Sequence, residues 1–401
     1  MTPLPSSSPS SLLLLPSPPQ PPTPKAIHAA YHAPLSAAIS RLSSSSSSSS
    51  PSPRLTVAIV STFQRSSWPQ LQSLLARLYS LVAAVLPEDD TADVRIVLVD
   101  HVPGRDYPGS SSPYSPDPSS TIPDLSGLAG QQSSQQWSEI LHPDSEAAYS
   151  LLKAFLTVAE DAHRVTYLHK QLVSVPGGIT LTTSPASQLS DDTPSSQRYK
   201  TVCLGGTFDH LHPGHKLLLH AAVLLLSLPR QLDSSDPAIF IIGISGDALL
   251  KNKKFATELE PWPARTASVL SYLCSIMPAS QIPSDTGPVP DNEEIRAHFF
   301  DGRLVVRCVN IPDGYGPTIT EEDIGAIVLS GETRSGGASI NDKRGEKGWK
   351  KLDVYEIDVL QPYKEEEEEG EGVDGARDPE DFSAKISSTE IRRRRAEARE
   401  S

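Results

Sequence analysis

Cysteine is scarce in this chain: Cys203, Cys274 and Cys308 are the three in 401 residues, far apart and each in an apolar stretch. A secreted fold stapled by disulfides is thereby excluded, and buried thiols in a reducing compartment are the simpler reading. Basic residues are also short, 35 Lys and Arg against 49 Asp and Glu, which gives a formal net charge of −14. Nonspecific nucleic-acid binding needs a basic surface and is not expected. Long hydrophobic runs are missing as well. The leucine run near the N-terminus is only Leu12–Leu15, and no basic residue precedes it. That is too short for a membrane span and wrongly flanked for a signal peptide. The first 50 residues lack acids, as a transit peptide would, but hold one arginine, Arg41. A cytosolic protein is expected, with nuclear or mitochondrial destinations as the alternatives.

What the chain has in excess is proline, 37 residues, and serine. Residues 1–53 read as a disordered Pro/Ser tail with too little apolar surface to offset ordering entropy. From Leu55 the character changes. Leu55–Ser61 and Val94–Asp100 read as strands, Trp68–Leu86 and Glu146–Ala162 as helices, and Val165–His169 and Gly178–Thr183 as further strands. Residues 55–187 are thus expected to form a small α/β domain, without any chemical motif. A polar linker over 184–197 leads to a third region, 198–401. There Ala238–Ser245, Arg303–Ile311, Ala326–Ser330 and Leu352–Leu360 are strand-like, and Arg265–Cys274 is helical. Strands alternating with helices predict βαβ units in a doubly wound, Rossmann-like parallel sheet, with ligands at the carboxyl ends of the strands.

The informative stretch is Gly205-Gly-Thr-Phe-Asp-His-Leu-His-Pro-Gly-His215. An apolar strand, Tyr199–Leu204, precedes it and an apolar helix over 215–226 follows. A strand, a glycine turn and a helix N-terminus offer free backbone N–H groups to anionic phosphates. His212 and His215 bracket the first helical turn. Pro213 suits the first helical position, and Gly214 keeps the space between the imidazoles clear of side chain. A zinc site built from His210, His212 and His215 is the competing reading, weakened by the absence of a fourth ligand at convincing spacing.

Three further stretches stand at strand ends. Gly243–Phe255 brings Lys251, Lys253 and Lys254 just past a strand, either to hold a phosphate or as a solvated loop. Ile311-Pro-Asp-Gly-Tyr-Gly-Pro317 places a carboxylate, Asp313, and Ser330-Gly-Glu-Thr-Arg-Ser-Gly-Gly337 makes a small-residue loop. Near the C-terminus, Ser387 with Glu390 three residues on is a capping-box pattern. Read plainly it starts a terminal helix with a solvated Arg392–Arg395 run. The acidic stretch over 364–381 reads as a disordered surface insertion.

Taken together, GTFDHLHPGH, GISGDALLKNKK with a downstream proline and arginine, Asp313 with GYGP, LSGETRSGG and KISST resemble the eukaryotic and archaeal phosphopantetheine adenylyltransferases. That is a branch of the HxGH nucleotidyltransferase superfamily, and the likeness runs from about Tyr199 to Arg395. The resemblance implies the HxGH nucleotidyltransferase fold over 198–401. It implies adenylyl transfer from ATP to 4′-phosphopantetheine, yielding dephospho-coenzyme A and pyrophosphate, with Mg²⁺ carried on the ATP rather than in a protein metal site. His215, His212 and Lys253 would then be catalytic. Gly205, Gly206, Thr207, Phe208, Asp209, His212, His215, Gly331, Glu332, Thr333, Ile386, Ser387, Ser388 and Thr389 would hold the nucleotide. Thr207, Lys251, Lys253 and Asp313 would contact the acceptor. Partners would be these small molecules, with other enzymes of coenzyme A synthesis as possible associates. No G-x-x-x-x-G-K-[ST] string occurs, so no fused dephospho-coenzyme A kinase is expected. The rival readings are another HxGH enzyme, a cytidylyltransferase or FAD-type adenylyltransferase, and a catalytically silent nucleotide-binding scaffold. Since every motif lies beyond Gln197, a fragment from there to Ser401 is expected to be active by itself.

Overall fold

The computed structural model of the chain describes residues 10–45, 53–63, 66–87, 92–102, 117–130, 137–179, 197–230, 236–283, 290–361 and 387–400. It is an α/β protein built on two sheets. The first holds β1 (Ser10–Leu15), β2 (Arg54–Ser61), β3 (Asp93–Asp100), β4 (Glu139–Pro143) and β5 (Leu172–Val175) in the order β3-β2-β1-β4-β5. All its pairings are parallel, and the order is that of a Rossmann-type half. Helices α1 (Pro24–Ser45), α2 (Trp68–Val85), α3 (Leu125–Gly130) and α4 (Glu146–His163) join its strands.

The expected disordered tail is corrected here. Leu12–Leu15 is the middle strand of this sheet, and all four leucines are 0% exposed. A parallel strand covered on both faces needs only a short continuous apolar run. The following helix buries Ile27, Tyr31, Leu35, Ala38 and Leu42 in one stripe, at the helical spacing of a core-facing side. Pro34, Ser36 and Ser40 between these positions hide that period in the composition. The unit therefore begins at Ser10 rather than Leu55. The last strand also differs from expectation: Val165–Leu168 forms no strand, and β5 is Leu172–Val175. Gly178 lies outside any strand, its backbone against α1, where an added Cβ would sit 2.1 Å from the Ala30 carbonyl oxygen. Residues 180–196, and so most of the expected linker, fall outside the described residues.

The second sheet has seven strands: β6 (Thr201–Gly206), β7 (Ala238–Ser245), β8 (Ala279–Gln281), β9 (Glu294–Phe299), β10 (Leu304–Ile311), β11 (Ala326–Leu329) and β12 (Asp353–Glu356). Their order is β12-β11-β6-β7-β10-β9-β8. Five run parallel in neighbouring positions, while β9 is antiparallel to both β10 and β8. The wholly parallel sheet expected from the sequence is thus a mixed one. Ile295, Ala297 and Phe299 are buried while the residues between them face outward, a half-covered alternation that the continuous apolar runs overshadow. Phe300, Asp301 and Gly302, all at positive φ, make the tight return into β10. Helices α5 (Pro213–Val223), α6 (Trp262–Ile276), α7 (Arg334–Glu346) and α8 (Ser388–Glu400) accompany this sheet.

The two sheets share one core. Helix α2 packs on α5, and β3 on α6. Trp68 Nε1 donates to the Ala221 carbonyl at 2.8 Å, and the hydroxyls of Tyr79 and Tyr272 meet at 2.8 Å. Lys216, buried, reaches Asp93 Oδ1 at 2.7 Å and the Val94 carbonyl at 2.8 Å. Burial alone would raise the Asp93 carboxyl, but Lys216 and Arg95 hold it well below the usual carboxylate range.

Candidate functional site

Strand β6 is central, with β7 and β10 on one side and β11 and β12 on the other. The chain therefore reverses its winding at β6, and the crevice outside that switch point is where such sheets take ligands. A cavity of about 780 Å³ lies there, walled by the ends of β6, β7, β10 and β11 and by the start of α8.

Residues 205–215 shape one wall. Phe208 and His210 sit at φ +52° and +45°, left-handed positions that cost non-glycine residues of order 1–3 kcal/mol and concentrate at functional turns. The surroundings impose them. Phe208 is 0% exposed, its ring 5.2 Å from that of His215 and directly over Gly206, where a Cβ would lie 2.9 Å away. His212 is the N-cap of α5 and Pro213 its first residue, so His215 stands in the third position. The two imidazoles stack with centroids 3.8 Å apart. A side chain at Gly214 would come within 3.2 Å of the His212 ring. Burial lowers His215 to about 4 and pulls His212 well below its ordinary range, helped by the neighbouring charge of His215. Both are therefore neutral at pH 7. The Nδ1 atom of each is buried without a hydrogen-bond partner among the described residues.

Asp209 and the C-terminal helix close the turn from behind. Asp209, 0% exposed, accepts from the Glu260 amide at 2.9 Å and pairs with Arg392 at 2.5 Å. Ser388 Oγ donates to the Asp209 carbonyl at 2.9 Å, and Arg392 also reaches the Lys254 carbonyl and Thr389 Oγ1. Fully buried Arg265 holds the Thr207 carbonyl at 2.6 Å while bonding Ser245 and Asp247. The turn is thus fixed by two arginines, one on each flanking helix.

Of the expected residues, Gly205, Gly206, Thr207, His212, His215, Lys253, Asp313, Gly331, Glu332, Thr333, Ser387, Ser388 and Thr389 line this one cavity. Four do not. Phe208 and Asp209 are buried behind the wall as supports. Lys251 is exposed and off the wall, and Ile386 lies outside the described residues, as does the acidic insertion. Asp313 caps its own turn through the amides of Tyr315 and Gly316. Arg392 was expected in a solvated basic run; it is 3% exposed and lines the cavity instead. Its position three residues after Thr389 was the available signal, since that spacing places both on one helix face.

Asp209, His210 and Glu260 bring three donor atoms within 4.8 Å of one another. Their groups are already engaged: His210 Nε2 bonds the Glu258 carbonyl at 2.7 Å, its amide donates to Glu260, and Asp209 is held by Arg392. That cluster is a brace and does not fit a metal. His210 Nε2 is taken up by that carbonyl, and among the described residues the ring nitrogens of His210, His212 and His215 are not gathered within 4.8 Å of one another. Among the described residues no helix is long and apolar enough to cross a membrane.

Comparison with known proteins places two kinds of likeness on this chain. Residues 1–181 match a domain of unknown function, DUF8446. A phosphopantetheine adenylyltransferase of Saccharomyces cerevisiae is 32% identical over 198 residues, 49% of this chain and 49% of that protein. An uncharacterised protein of Schizosaccharomyces pombe is 32% identical over 181 residues, 45% of this chain and 46% of that one. A phosphopantetheine adenylyltransferase of Thermococcus kodakarensis is 28% identical over 167 residues, 42% of this chain and 79% of the relative. The chain spans about half the length of the two yeast relatives it matches.

Proposed function

We propose that this chain is a nucleotidyltransferase of the HxGH type that moves an adenylyl group from ATP to 4′-phosphopantetheine. The observation that carries the reading is convergence: the stacked His212–His215 pair at a helix N-terminus, the Ser387–Thr389 helix start and Lys253 all face one cavity at the sheet's switch point. The names of the relatives support it.

The acceptor's phosphate oxygen would form a bond to the α-phosphorus of ATP as the bond to the pyrophosphate oxygen breaks. The nucleophile is already an anion, so no protein base is required. Catalysis is then positioning and stabilisation of the charge that develops on the α-phosphoryl oxygens and the leaving group. His215, neutral at pH 7, would donate an N–H to that charge from the third helical position, with His212 beside it. The free amides of α5 and the hydroxyls of Ser387, Ser388 and Thr389 would hold phosphates. Lys253, on the opposite wall past β7, would meet the acceptor phosphate. Asp313 caps its own turn and Asp209 pairs with Arg392. Mg²⁺ would arrive on ATP, bound to phosphate oxygens.

A substrate panel tests this. Purified chain is given ATP or CTP with phosphopantetheine, glycerol 3-phosphate, phosphocholine or FMN, and pyrophosphate release is followed. Release with ATP and phosphopantetheine is expected. Turnover confined to CTP with a phospho-alcohol, or to ATP with FMN, would replace the reading with one of its relatives within the superfamily. No turnover in any arm would leave a silent nucleotide-binding scaffold.

A further inference from the structure

Beyond β12 the chain runs along the wall of the cavity as a short strap, Ile357 to Gln361. Ile357, Asp358, Val359 and Leu360 all line the cavity. The strap starts firmly, because the Ile357 amide donates to the Leu329 carbonyl at 3.0 Å. Ile357 and Leu360 are buried in the shared core, whereas Val359 between them is 59% exposed.

What holds the middle and end of the strap is not the sheet that carries the site. The Asp358 amide donates to Gln72 Oε1 at 3.0 Å, and the Gln361 amide donates to Ser80 Oγ at 3.1 Å. Gln72 and Ser80 lie two turns apart on α2, in the region matched by the domain of unknown function. Gln72 is a 5% exposed polar residue on a helix face that is otherwise apolar, a placement that costs free energy unless its amide is used. The edge of Trp68 also meets Tyr355, the residue two before the strap, with centroids 4.9 Å apart. Behind Asp358 and Val359 the packing is open: a second cavity, about 370 Å³, separates them from α1 and the side of α2 near Arg77. Ile357 and Leu360 pin the strap to the core on either side of this gap, so the backbone of Asp358, Val359 and Gln361 between and beyond them depends on the two α2 hydrogen bonds.

We propose that α2 is a positioning element for the nucleotide: Gln72 and Ser80 fix the strap that forms one wall of the cavity, so residues of the first sheet's domain set ATP affinity. This rests on the reading of the cavity as an ATP site. Neither residue touches the cavity, so both act through the strap backbone.

Calorimetric titration of the full chain with Mg·ATP, beside steady-state rates, tests it. Failure of the unaltered chain to bind ATP would overturn the nucleotide reading itself. Given binding, Ser80→Ala and Gln72→Met should each weaken ATP about twofold to tenfold, the size of one lost hydrogen bond. The ATP KM should rise accordingly, with kcat and the acceptor KM unchanged. Ser80→Thr keeps the hydroxyl acceptor and should restore affinity, which a purely structural role would not require. Ser80 is only half-buried, so its variants remain measurable should Gln72→Met fail to fold. ATP affinity unchanged in Ser80→Ala, or a loss shared equally by ATP and acceptor, would sink the positioning role while leaving the nucleotide site intact.

Discussion

At the residue scale, His215 faces two demands. It must sit beside a polyanion, yet burial lowers it to about 4 and keeps it uncharged before ligand arrives. On the proposed reaction a neutral imidazole would add little to ground-state phosphate binding, which the α5 amides and Ser387–Thr389 would carry. Its contribution to that reaction would come where charge develops in the transition state. His215→Ala is therefore expected to lower kcat by about a hundredfold to a thousandfold, by analogy with removing one oxyanion donor, with ATP affinity little changed. Calorimetric ATP binding and steady-state rates on the same variant decide it. A fall in ATP affinity in proportion to kcat would make His215 a ground-state ligand. The histidine pair was legible in the sequence because its residues are contiguous: turn, N-cap, first-turn proline and second imidazole occupy 205–215. Of the arginines that hold this turn, Arg265 entered the sequence reading only as the arginine downstream of GISGDALLKNKK, and Arg392 only as part of a solvated run. Arg392 meets Asp209 across 183 positions, so its buried partner is out of local reach, and the spacing from Thr389 marks only which helix face it shares. Lys251 shows the converse, a lysine in a plausible loop that the backbone turns away from the wall.

At the scale of elements, α8 matters as much as any side chain it carries. It is fastened through Arg392 and Ser388 to Asp209, and those contacts place Ser387–Thr389 over the cavity. The Arg392–Asp209 pair is 3% and 0% exposed. Removing one partner of such a pair leaves an uncompensated charge, at a cost of about 3–5 kcal/mol. Arg392→Ala is accordingly expected to lower the denaturant midpoint and to weaken ATP binding together, as the helix start loses its seat. Combining it with Asp209→Asn should recover stability, since no buried charge is then orphaned, but not ATP affinity. Chemical denaturation and ATP titration on the single and double variants check this. Recovery of both would mean that the pair acts only through stability. The same scale explains which elements the sequence disclosed. Strands β7 and β11 are continuous apolar runs and β10 is mostly apolar, and they read directly. Strand β1 and helix α1 did not. Four leucines make the core of a parallel strand when neighbours cover both faces, and the stripe from Ile27 to Leu42 is diluted by small and polar residues between its members. Composition averages over both faces of an element, while folding depends on one.

For the whole molecule, the question is whether the motif-bearing region stands alone. Its motifs all lie beyond Gln197, which on sequence grounds argues for an active fragment. The packing argues the reverse. Helix α5, whose N-terminus carries His212 and His215, spends its other end against α2, where Trp68 bonds the Ala221 carbonyl. Lys216, adjacent in sequence to His215, is buried and paired with Asp93 of the first sheet. In a fragment from 197 to 401, Lys216 loses its carboxylate, Tyr272 loses the Tyr79 hydroxyl, and the face that α2 covers meets water. Burial lowers the Lys216 ammonium already, with Asp93 offsetting that effect; without Asp93 the lysine must either move to solvent or give up its proton, and α5 moves with it. The fragment is therefore expected to aggregate or to bind an apolar dye, and to show less than a hundredth of the full chain's kcat/KM, roughly the loss that a 1 Å misplacement of a catalytic group brings. The full chain should unfold in one transition, because a single apolar core runs through both sheets. Supplying residues 1–181 by co-expression should restore solubility and turnover, since the missing face is then covered. Thermal denaturation and rates on the full chain, the fragment and the co-expressed pair make the comparison. A soluble fragment with the full chain's melting temperature and rate would show that the first sheet only decorates the second, and that the Asp93–Lys216 contact carries nothing to His215.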